Sequence, residues 1–218
     1  MTITNEIQHL HQELPATTKL VAVSKFHPAE AILEAYAAGQ RIFGESRVQE
    51  LCEKRPILPQ DIEWHFIGHL QTNKIKQIVS FVSLIHGVDS VKLLKEINKE
   101  GEKIGRVVPC LLQIFVAQEE TKFGLSPDEC RELAGLLKQY PFVQICGLMG
   151  MASLTDDQVQ IRTEFSQLKD LFDELKSRMD STAFKELSMG MSEDYPLAVE
   201  CGSTMVRIGS RIFGHRQY

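Results

Sequence analysis

The stretch Leu20-Val21-Ala22-Val23-Ser24-Lys25 sets the pattern from which the fold can be predicted. It is an almost continuous apolar run, which is typical of a strand buried on both faces of a parallel sheet. The segment His27-Pro28-Ala29-Glu30 follows directly and resembles the opening of a helix, where proline is well tolerated. Lys25 is therefore predicted at the carboxyl end of a buried strand, where α/β folds gather their chemistry.

The same unit of strand and helix recurs along the whole chain. Seven further apolar, β-branched runs predict strands at Arg41 to Glu45, Glu63 to His69, Phe81 to Val88, Pro109 to Val116, Val143 to Met151, Lys185 to Met191 and Met205 to Phe213. About eight repeats without an intervening linker favour one domain over residues 1–218, an α/β fold of the (β/α)8 or TIM barrel type. A doubly wound open sheet is the alternative.

Helix signals fill the intervals between the predicted strands. Pro28 to Ala38 is a helical pattern that ends at Gly39, and Ser126 precedes a proline as a capping-box residue. Thr155 opens a longer helix, whose apolar stripe comprises Ile161, Phe165, Leu168, Phe172, Leu175 and Met179. An extra amphipathic helix is predicted before the first strand from the spacing of Ile3, Ile7, Leu10 and Leu14.

Composition narrows the classes of protein. The 218 residues carry a net charge of -5, and lysine and arginine are spread along the chain, which argues against a nucleic-acid partner. No run approaches the roughly 20 apolar residues that a membrane span needs, and the N-terminal pattern is not that of a signal peptide. Five scattered cysteines without a C-x-x-C pair predict neither disulfides nor a zinc site. We therefore expect a cytoplasmic protein.

The barrel rule selects candidate site residues at the ends of the predicted strands. Lys25 is the best nucleophile or Schiff-base candidate, although lysines often end strands simply by reaching solvent. Ser46 and His69 end other strands, and Arg207, Gly209 and Ser210 end the last one. Glycine lets a ligand approach the backbone, and free N–H groups with a serine hydroxyl suit a phosphate.

Two strand ends share the tripeptide Met-Gly-Met. Met149-Gly150-Met151 ends the sixth predicted strand, and Ser188-Met189-Gly190-Met191-Ser192 ends the seventh. Methionine can pack against a flat ring, and the glycines can clear space for a ligand, although a turn glycine beside a packed core explains the pattern equally well. The hydroxyls of Ser188 and Ser192 supply a second half of a phosphate site after strands seven and eight.

Other chemistries fit the sequence poorly. His65 and His69 would lie about 13 Å apart on one strand, too far for a shared metal ion. No G-x-S-x-G, G-x-x-x-x-G-K-[ST] or G-x-G-x-x-G motif occurs. A strand-end lysine, a phosphate site and an arginine two residues before Gly209 together indicate pyridoxal 5'-phosphate (PLP).

The chain resembles the pyridoxal phosphate homeostasis proteins, a family with a fold similar to the barrel domain of alanine racemase. The resemblance runs from about Leu20 to the C-terminus. It is carried by Val21 to Lys25, Phe43-Gly44-Glu45-Ser46-Arg47-Val48-Gln49-Glu50, Trp64 to Lys74, Thr121-Lys122-Phe123-Gly124, Leu148 to Ala152, Leu187 to Ser192 and Val206 to Gly214.

The resemblance implies roles for individual residues. Lys25 would be the PLP-linked lysine and Arg207 would face the pyridine nitrogen. The phosphate would be held by Ser188, Gly209 and Ser210, in a site whose turn is shaped by Met189, Gly190 and Ser192. Met149 and Ser46 would also lie near the cofactor. Two positions differ from the family, because Ser46 stands where asparagine is usual and Ser210 where threonine is common.

Three functions stay open on the sequence. The first is a protein that holds PLP as a Schiff base on Lys25 in vitamin B6 and amino-acid homeostasis without established turnover, with PLP-dependent apoenzymes as candidate recipients and a monomer or weak dimer as the expected state. The second is an amino-acid racemase, which would need a second base such as Tyr218. The third is a phosphosugar enzyme. Lys122 is a candidate second PLP ligand, although a solvated lysine is the simpler interpretation.

Overall fold

Eight parallel strands form a closed barrel in the computed structural model, which describes residues 2–116, 124–179 and 182–214. The strands are β1 (Lys19–Val23), β2 (Ile42–Glu45), β3 (Glu63–Phe66), β4 (Leu84–Val88), β5 (Val108–Gln113), β6 (Val143–Met149), β7 (Glu186–Ser188) and β8 (Met205–Ile208). Neighbouring strands pair in chain order, and β1 pairs with β8, with Lys19 opposite Met205. This closure confirms the predicted barrel and excludes the open sheet.

Helices follow the strands on the outside of the barrel. They are α1 (Ile3–Glu13), α2 (Ala29–Ala37), α3 (Val48–Lys54), α4 (Ile75–Ile78), α5 (Val91–Lys103), α6 (Pro127–Leu136), α7 (Gln158–Arg178), α8 (Tyr195–Glu200) and α9 (Ser210–Phe213). Short 3₁₀ turns occur at Arg55–Ile57, Thr72–Lys74 and Leu137–Gln139. No helix in the described part of the chain is long and apolar enough to cross a membrane.

Alternation along the strands divides the apolar side chains into two cores. Side chains that point into the barrel form a small cluster of Val21, Leu84, Leu111, Met149 and Met205. Side chains that point outward pack against the helices in a much larger cluster, which includes Leu20 and Ala22 of β1. Because both faces of each strand are buried, the strands appear in the sequence as continuous apolar runs.

Helix caps decide where two predicted helices begin. The Ser126 hydroxyl accepts the Glu129 N–H at 3.2 Å while the Glu129 carboxylate accepts the Ser126 N–H at 2.8 Å, which confirms the capping box of α6. The prediction that Thr155 opens α7 is wrong, because the Asp157 carboxylate accepts the N–H of Val159 at 2.9 Å and so caps a helix that begins at Gln158. The predicted apolar stripe of α7 is buried or half-buried.

Several predicted strands are too long at their ends. The last was predicted to run to Phe213, but β8 ends at Ile208, and Ser210–Phe213 is the helix α9. Similarly, β3 ends at Phe66 and leaves His69 in a loop. Apolar residues such as Ile67 and Ile212 continue beyond these strand ends, so hydropathy alone does not mark where the strand stops.

The N-terminal helix is attached to the far end of the chain. Ile7 and Leu10 of α1 are fully buried, as the spacing predicted. Arg211 of α9 forms ion pairs with Glu6 at 3.2 Å and with Glu13 at 2.9 Å, both on α1. The helix that precedes the barrel therefore packs beside the loop that follows β8.

Candidate functional site

A cavity of about 560 Å³ opens at the carboxyl ends of the strands. Its size lies within the range of small-molecule sites. The wall is formed by Val23, Lys25, His27, Ile67, Met151, Met191, Ser192, Glu193, Arg207, Gly209, Ser210 and Gly214. The lining has two basic side chains, Lys25 and Arg207, against one acidic side chain, Glu193, so the cavity suits a ligand with a negative group.

Lys25 lies in a tight turn that follows β1. The next residue, Phe26, has a φ of 67°, a left-handed conformation that costs a non-glycine residue about 1 to 2 kcal/mol. Hydrogen bonds hold the backbone on both sides of Lys25. The Glu50 carboxylate accepts the Phe26 N–H at 2.6 Å, and the Lys54 ammonium donates to the Ser24 carbonyl at 2.8 Å.

A buried charge network lies beneath this turn, and Lys54 is its centre. The Lys54 ammonium donates to the carboxylates of Glu45 and Glu50, each at 2.7 Å. Glu45 is fully buried and also accepts the Ser24 hydroxyl at 2.6 Å. Burial raises the pKa of Glu45 despite the neighbouring Lys54, and its Oε2 has no hydrogen-bond partner in the described part of the chain. The network fixes the turn that carries Lys25.

Arg207 lies on β8, the strand that pairs with β1, opposite Val21 in the register, and is only 5% exposed. Its guanidinium donates to the Ser188 carbonyl at 2.9 Å, to the Ser188 hydroxyl at 2.6 Å and to the Gly150 carbonyl at 3.0 Å. These acceptors are all neutral. Burial lowers the pKa of Arg207 to about 10, although the charge of Asp194 acts in the other direction, so the side chain stays cationic at neutral pH.

Two histidines lie behind Arg207 inside the barrel. His86 Nδ1 lies 3.1 Å from the Ser188 hydroxyl, and His86 Nε2 lies 3.0 Å from His65 Nδ1. Burial lowers the pKa of His65 to about 3 and that of His86 well below its usual value, so both rings are neutral at pH 7. A polar chain therefore runs from Arg207 into the barrel interior.

The loops after β7 and β8 meet on the cavity wall. The Gly209 N–H donates to the Ser192 hydroxyl at 3.3 Å, which joins the two loops. Ser210 follows at the start of α9 and also lines the cavity. Hydroxyls and backbone N–H groups thus lie together at the barrel position where phosphate groups are commonly bound.

The structure brings some of the predicted site residues together on the cavity wall and places others elsewhere. Lys25, Ser192, Arg207, Gly209 and Ser210 all line the cavity. Five others are outside the set that lines it: Ser46, Met149, Ser188, Met189 and Gly190. Ser188 supports Arg207 from behind, Met149 and Met189 are buried in the inner and outer cores, and the Ser46 backbone lies against Gly68.

Both glycines of the Met-Gly-Met turns make room for helices. A Cβ on Gly190, whose φ is +94°, would lie 2.6 Å from the Ala198 Cβ on α8. A Cβ on Gly150 would lie 2.6 Å from Leu168 Cδ2 on α7. Of the two interpretations of the motif, packing therefore accounts for the glycines.

His27, Ile67 and Glu193 line the cavity although the sequence did not single them out, whereas Met151 and Met191 belong to the Met-Gly-Met turns that it did. The second methionine of each Met-Gly-Met turn lines the cavity, whereas the first is buried. The order of the two methionines in the chain distinguishes them, because the second lies further beyond the end of the strand and nearer the barrel mouth. His27 stacks on the Phe213 ring, with ring centroids 5.0 Å apart, a contact that no local pattern indicates.

The remaining candidates have other partners or are not described. His65 belongs to the buried pair with His86, while His69 Nδ1 lies 2.9 Å from Asp89. The described residues contain no cluster of three metal-ligating side chains. Lys122 and Tyr218 lie outside the described residues.

Comparison with known proteins shows the class of protein to which this chain belongs. The family model described as alanine racemase, N-terminal domain, matches residues 2–217. The crystal structure of alanine racemase from E. faecalis aligns with a TM-score of 0.75 at 16% identity, covering 98% of this chain and 58% of that chain. At this identity the likeness shows the fold alone.

More similar relatives define the family more narrowly. The pyridoxal phosphate homeostasis protein of Pasteurella multocida is 39% identical, with 99% of this chain and 95% of the relative covered. PipY of Synechococcus elongatus, solved without PLP, aligns with a TM-score of 0.93 at 40% identity over 98% of this chain and 100% of that chain, and its PLP-bound structure aligns at 0.89. The chain therefore belongs to the alanine racemase N-terminal domain family and, within it, to the pyridoxal phosphate homeostasis proteins.

Proposed function

We propose that this protein binds PLP covalently through Lys25 and holds it for use in intracellular vitamin B6 and amino-acid homeostasis, without catalytic turnover. The observation that carries the proposal is that Lys25 lines the same cavity as Arg207 and the loops that contain Ser192 and Gly209. The relatives support it, since PipY has been solved with PLP bound and the Pasteurella multocida relative is a pyridoxal phosphate homeostasis protein.

The donor set fits the parts of PLP. The compound has an aldehyde at one position, a ring nitrogen, and a phosphate that needs several N–H and O–H donors. Lys25 supplies an amine for the aldehyde. Ser192, Gly209 and Ser210 supply hydroxyls and backbone N–H groups for the phosphate, and Arg207 supplies a cation on the same cavity wall. When bound, PLP supplies an electrophilic carbon that a lysine amine can capture as a Schiff base.

The position and charge of Arg207 support the proposed lack of catalytic turnover. An arginine beside the pyridine nitrogen disfavours protonation of that nitrogen, and an unprotonated ring is a weaker electron sink. In the structure the guanidinium contacts neutral acceptors and keeps its charge, so it would present that charge to the ring. The fold is related to racemases, and racemisation is therefore the activity to measure.

Absorption spectroscopy tests the binding. The protein is mixed with excess PLP, reduced with borohydride, digested and mapped, alongside Lys25→Ala and the control Lys95→Ala on the exposed side of α5. We expect a visible band in the wild type and the control, with the reduced adduct on the peptide that contains Lys25, and no band in Lys25→Ala. A colourless wild type would contradict the proposal and favour a phosphosugar ligand.

A racemisation assay tests the absence of turnover. The protein loaded with PLP is incubated with L-alanine and its optical rotation is followed, with an alanine racemase as the positive control. We expect no change beyond that caused by free PLP. A steady loss of rotation that disappears in Lys25→Ala would establish an enzyme.

The proposal extends to the organisation and partners of the protein. We propose that residues 1–218 act as one PLP-binding domain, as a monomer or weak dimer, in a reducing cytoplasm where its five free cysteines stay unpaired. PLP-dependent apoenzymes are the proposed recipients. Sedimentation tests the oligomeric state, and activation of an apoenzyme by the loaded protein tests delivery.

A further inference from the structure

We propose that His86 is a positioning residue for Arg207, which it holds in place through the Ser188 hydroxyl by a hydrogen-bond chain of fixed direction. The chain joins four side chains from four strands, Arg207 on β8, Ser188 on β7, His86 on β4 and His65 on β3. The link from Arg207 to PLP rests on the proposed function, whereas the direction of the chain does not.

The donor at one end sets the direction. Arg207 has N–H donors only, so the Ser188 Oγ at 2.6 Å must accept from it. The hydroxyl hydrogen of Ser188 is then available for His86 Nδ1 at 3.1 Å, which must be the unprotonated nitrogen. The proton of the neutral His86 ring is therefore on Nε2, which donates to His65 Nδ1 at 3.0 Å.

The chain has an outlet at the far side of the barrel. His65 then has its own proton on Nε2. This residue lines a second cavity of about 380 Å³, together with Lys19, Glu186 and Met205 at the amino ends of their strands. Solvent in this cavity can accept from His65 Nε2, so that each donor from Arg207 onward has an acceptor.

The reverse direction leaves a buried donor without an acceptor. If His65 donated to His86 and His86 to Ser188, the Ser188 Oγ would accept twice and its own hydrogen would need a third partner. Ser188 is fully buried, and within residues 2–116, 124–179 and 182–214 its hydroxyl has only Arg207 and His86 as hydrogen-bond partners. An unsatisfied buried donor is unfavourable, so the forward direction is preferred.

His86 controls what Ser188 can offer to Arg207. As long as Nδ1 takes the hydroxyl hydrogen, the oxygen lone pairs face the guanidinium. Without that acceptor, the hydroxyl hydrogen can rotate toward Arg207, and a neutral acceptor is lost at a cation that has three of them among the described residues. The guanidinium would then be less firmly oriented toward the cavity.

NMR of the protein without cofactor tests the direction. Long-range correlations between ring protons and ring nitrogens report which nitrogen of each histidine is protonated. We expect His65 and His86 both to be neutral with the proton on Nε2. A proton on Nδ1 of His86 would overturn the proposal, and this result does not depend on PLP binding.

A pair of variants of equal size tests the effect on Arg207. Asparagine and leucine have the same shape, but only asparagine places an oxygen where His86 Nδ1 lies. We expect His86→Leu to weaken PLP binding about tenfold, with a shifted absorption band, and His86→Asn to stay close to wild type. Equal losses in the two variants would show a packing role only and overturn the proposal.

Ser188→Ala provides a second test that does not alter the histidines. It should weaken PLP binding as much as His86→Leu, and the double variant should be no weaker than either single one, since all three break the same link. Additive losses would contradict the chain. A wild type that fails to bind PLP would contradict the proposed function instead, and the NMR result would still decide the direction.

Discussion

The two sides of the cavity hold their cations in different ways. On the β1 side, the turn of Lys25 rests on the charged network of Lys54, Glu45 and Glu50. On the β8 side, Arg207 is bound by two carbonyls and a hydroxyl, and none of its described contacts is a carboxylate. Charges on the first side are paired among themselves and fix the backbone, whereas the charge on the second side remains available to a ligand.

The difference has a physical reason. A nucleophilic lysine needs a fixed position, and a network that pairs its charges below the turn provides one without adding charge to the cavity. A residue that attracts an anion or a ring nitrogen needs an unneutralised charge, so neutral acceptors orient it without cancelling it. The predictions that follow disturb one side at a time.

The largest effect is expected from Lys54→Met on the β1 side. The substitution leaves the fully buried Glu45 without its cation, which should destabilise the fold by about 3 to 5 kcal/mol. Urea unfolding measures the change, with Lys95→Met on the exposed side of α5 as the control. The double variant Lys54→Met/Glu45→Gln should recover part of the loss. A single variant within 1 kcal/mol of wild type would show that the network does not hold the turn.

Acid should affect the two sides in opposite directions. The pKa values of His65 and His86 are lowered by folding, so the unfolded chain binds protons more tightly below pH 6.5 and stability falls as the pH falls. Between pH 6.5 and 5 the loss should be about 1.6 kcal/mol for His65, with a loss of the same sign for His86. The pKa of Glu45 is raised, so its contribution to stability is greatest at low pH and is lost as the pH rises through its folded value.

Urea unfolding at a series of pH values checks this difference. In His65→Leu, about half of the histidine-dependent acid loss should disappear, because His86 remains. In Glu45→Gln the acid loss should be steeper than in wild type, since the compensating proton uptake is removed. Identical profiles for the three proteins would contradict the assignment.

A smaller effect is expected from Arg207→Lys on the β8 side. An ammonium cannot reach the hydroxyl of Ser188 and the carbonyl of Gly150 from one position as the planar guanidinium does. At least one buried acceptor loses its partner, and stability should fall by about 1 to 2 kcal/mol. Arg162→Lys, at an exposed pair with Glu200, is the control and should change stability little. An Arg207→Lys protein as stable as wild type would mean that the positive charge at this position, without the hydrogen bonds of the guanidinium, is sufficient for stability.

The smallest effect concerns the strain at Phe26. With a φ of 67°, this position should be more stable with glycine than with alanine by about 1 kcal/mol, the reverse of the usual order. Comparing Phe26→Gly with Phe26→Ala removes the ring in both, and so isolates the backbone term from the contact of the ring with Arg47. Thermal unfolding measures the difference. If alanine proves the more stable, the turn of Lys25 is not strained.

The sequence predicted the barrel because its signals are local. Each strand is a short apolar run, and caps such as Ser126 show where helices begin. Strand ends were predicted less well, since the apolar residues Ile212 and Phe213 continue the hydropathy of β8 in a different conformation. The strand β8 and the helix α9 are separated by a change of backbone conformation at Gly209, and the presence of a glycine does not by itself predict that change.

The site was partly predictable for a related reason. Lys25, Ser192, Arg207, Gly209 and Ser210 could be predicted because residues at or just after the carboxyl end of a strand reach the barrel mouth. The residues that support Arg207 from behind could not be predicted in this way. His86 stands inside the apolar run of β4, and its partners are 102 and 21 residues away in the chain. Contacts across a barrel depend on strand order and register, which no local pattern contains.

A crystal structure of the protein with PLP tests the central claim most directly. We expect electron density continuous from Lys25 Nζ to the cofactor, with the phosphate beside Ser192, Gly209 and Ser210 and the ring nitrogen facing Arg207. Density on another lysine, with Lys25 unmodified and the cavity free of PLP, would contradict the account.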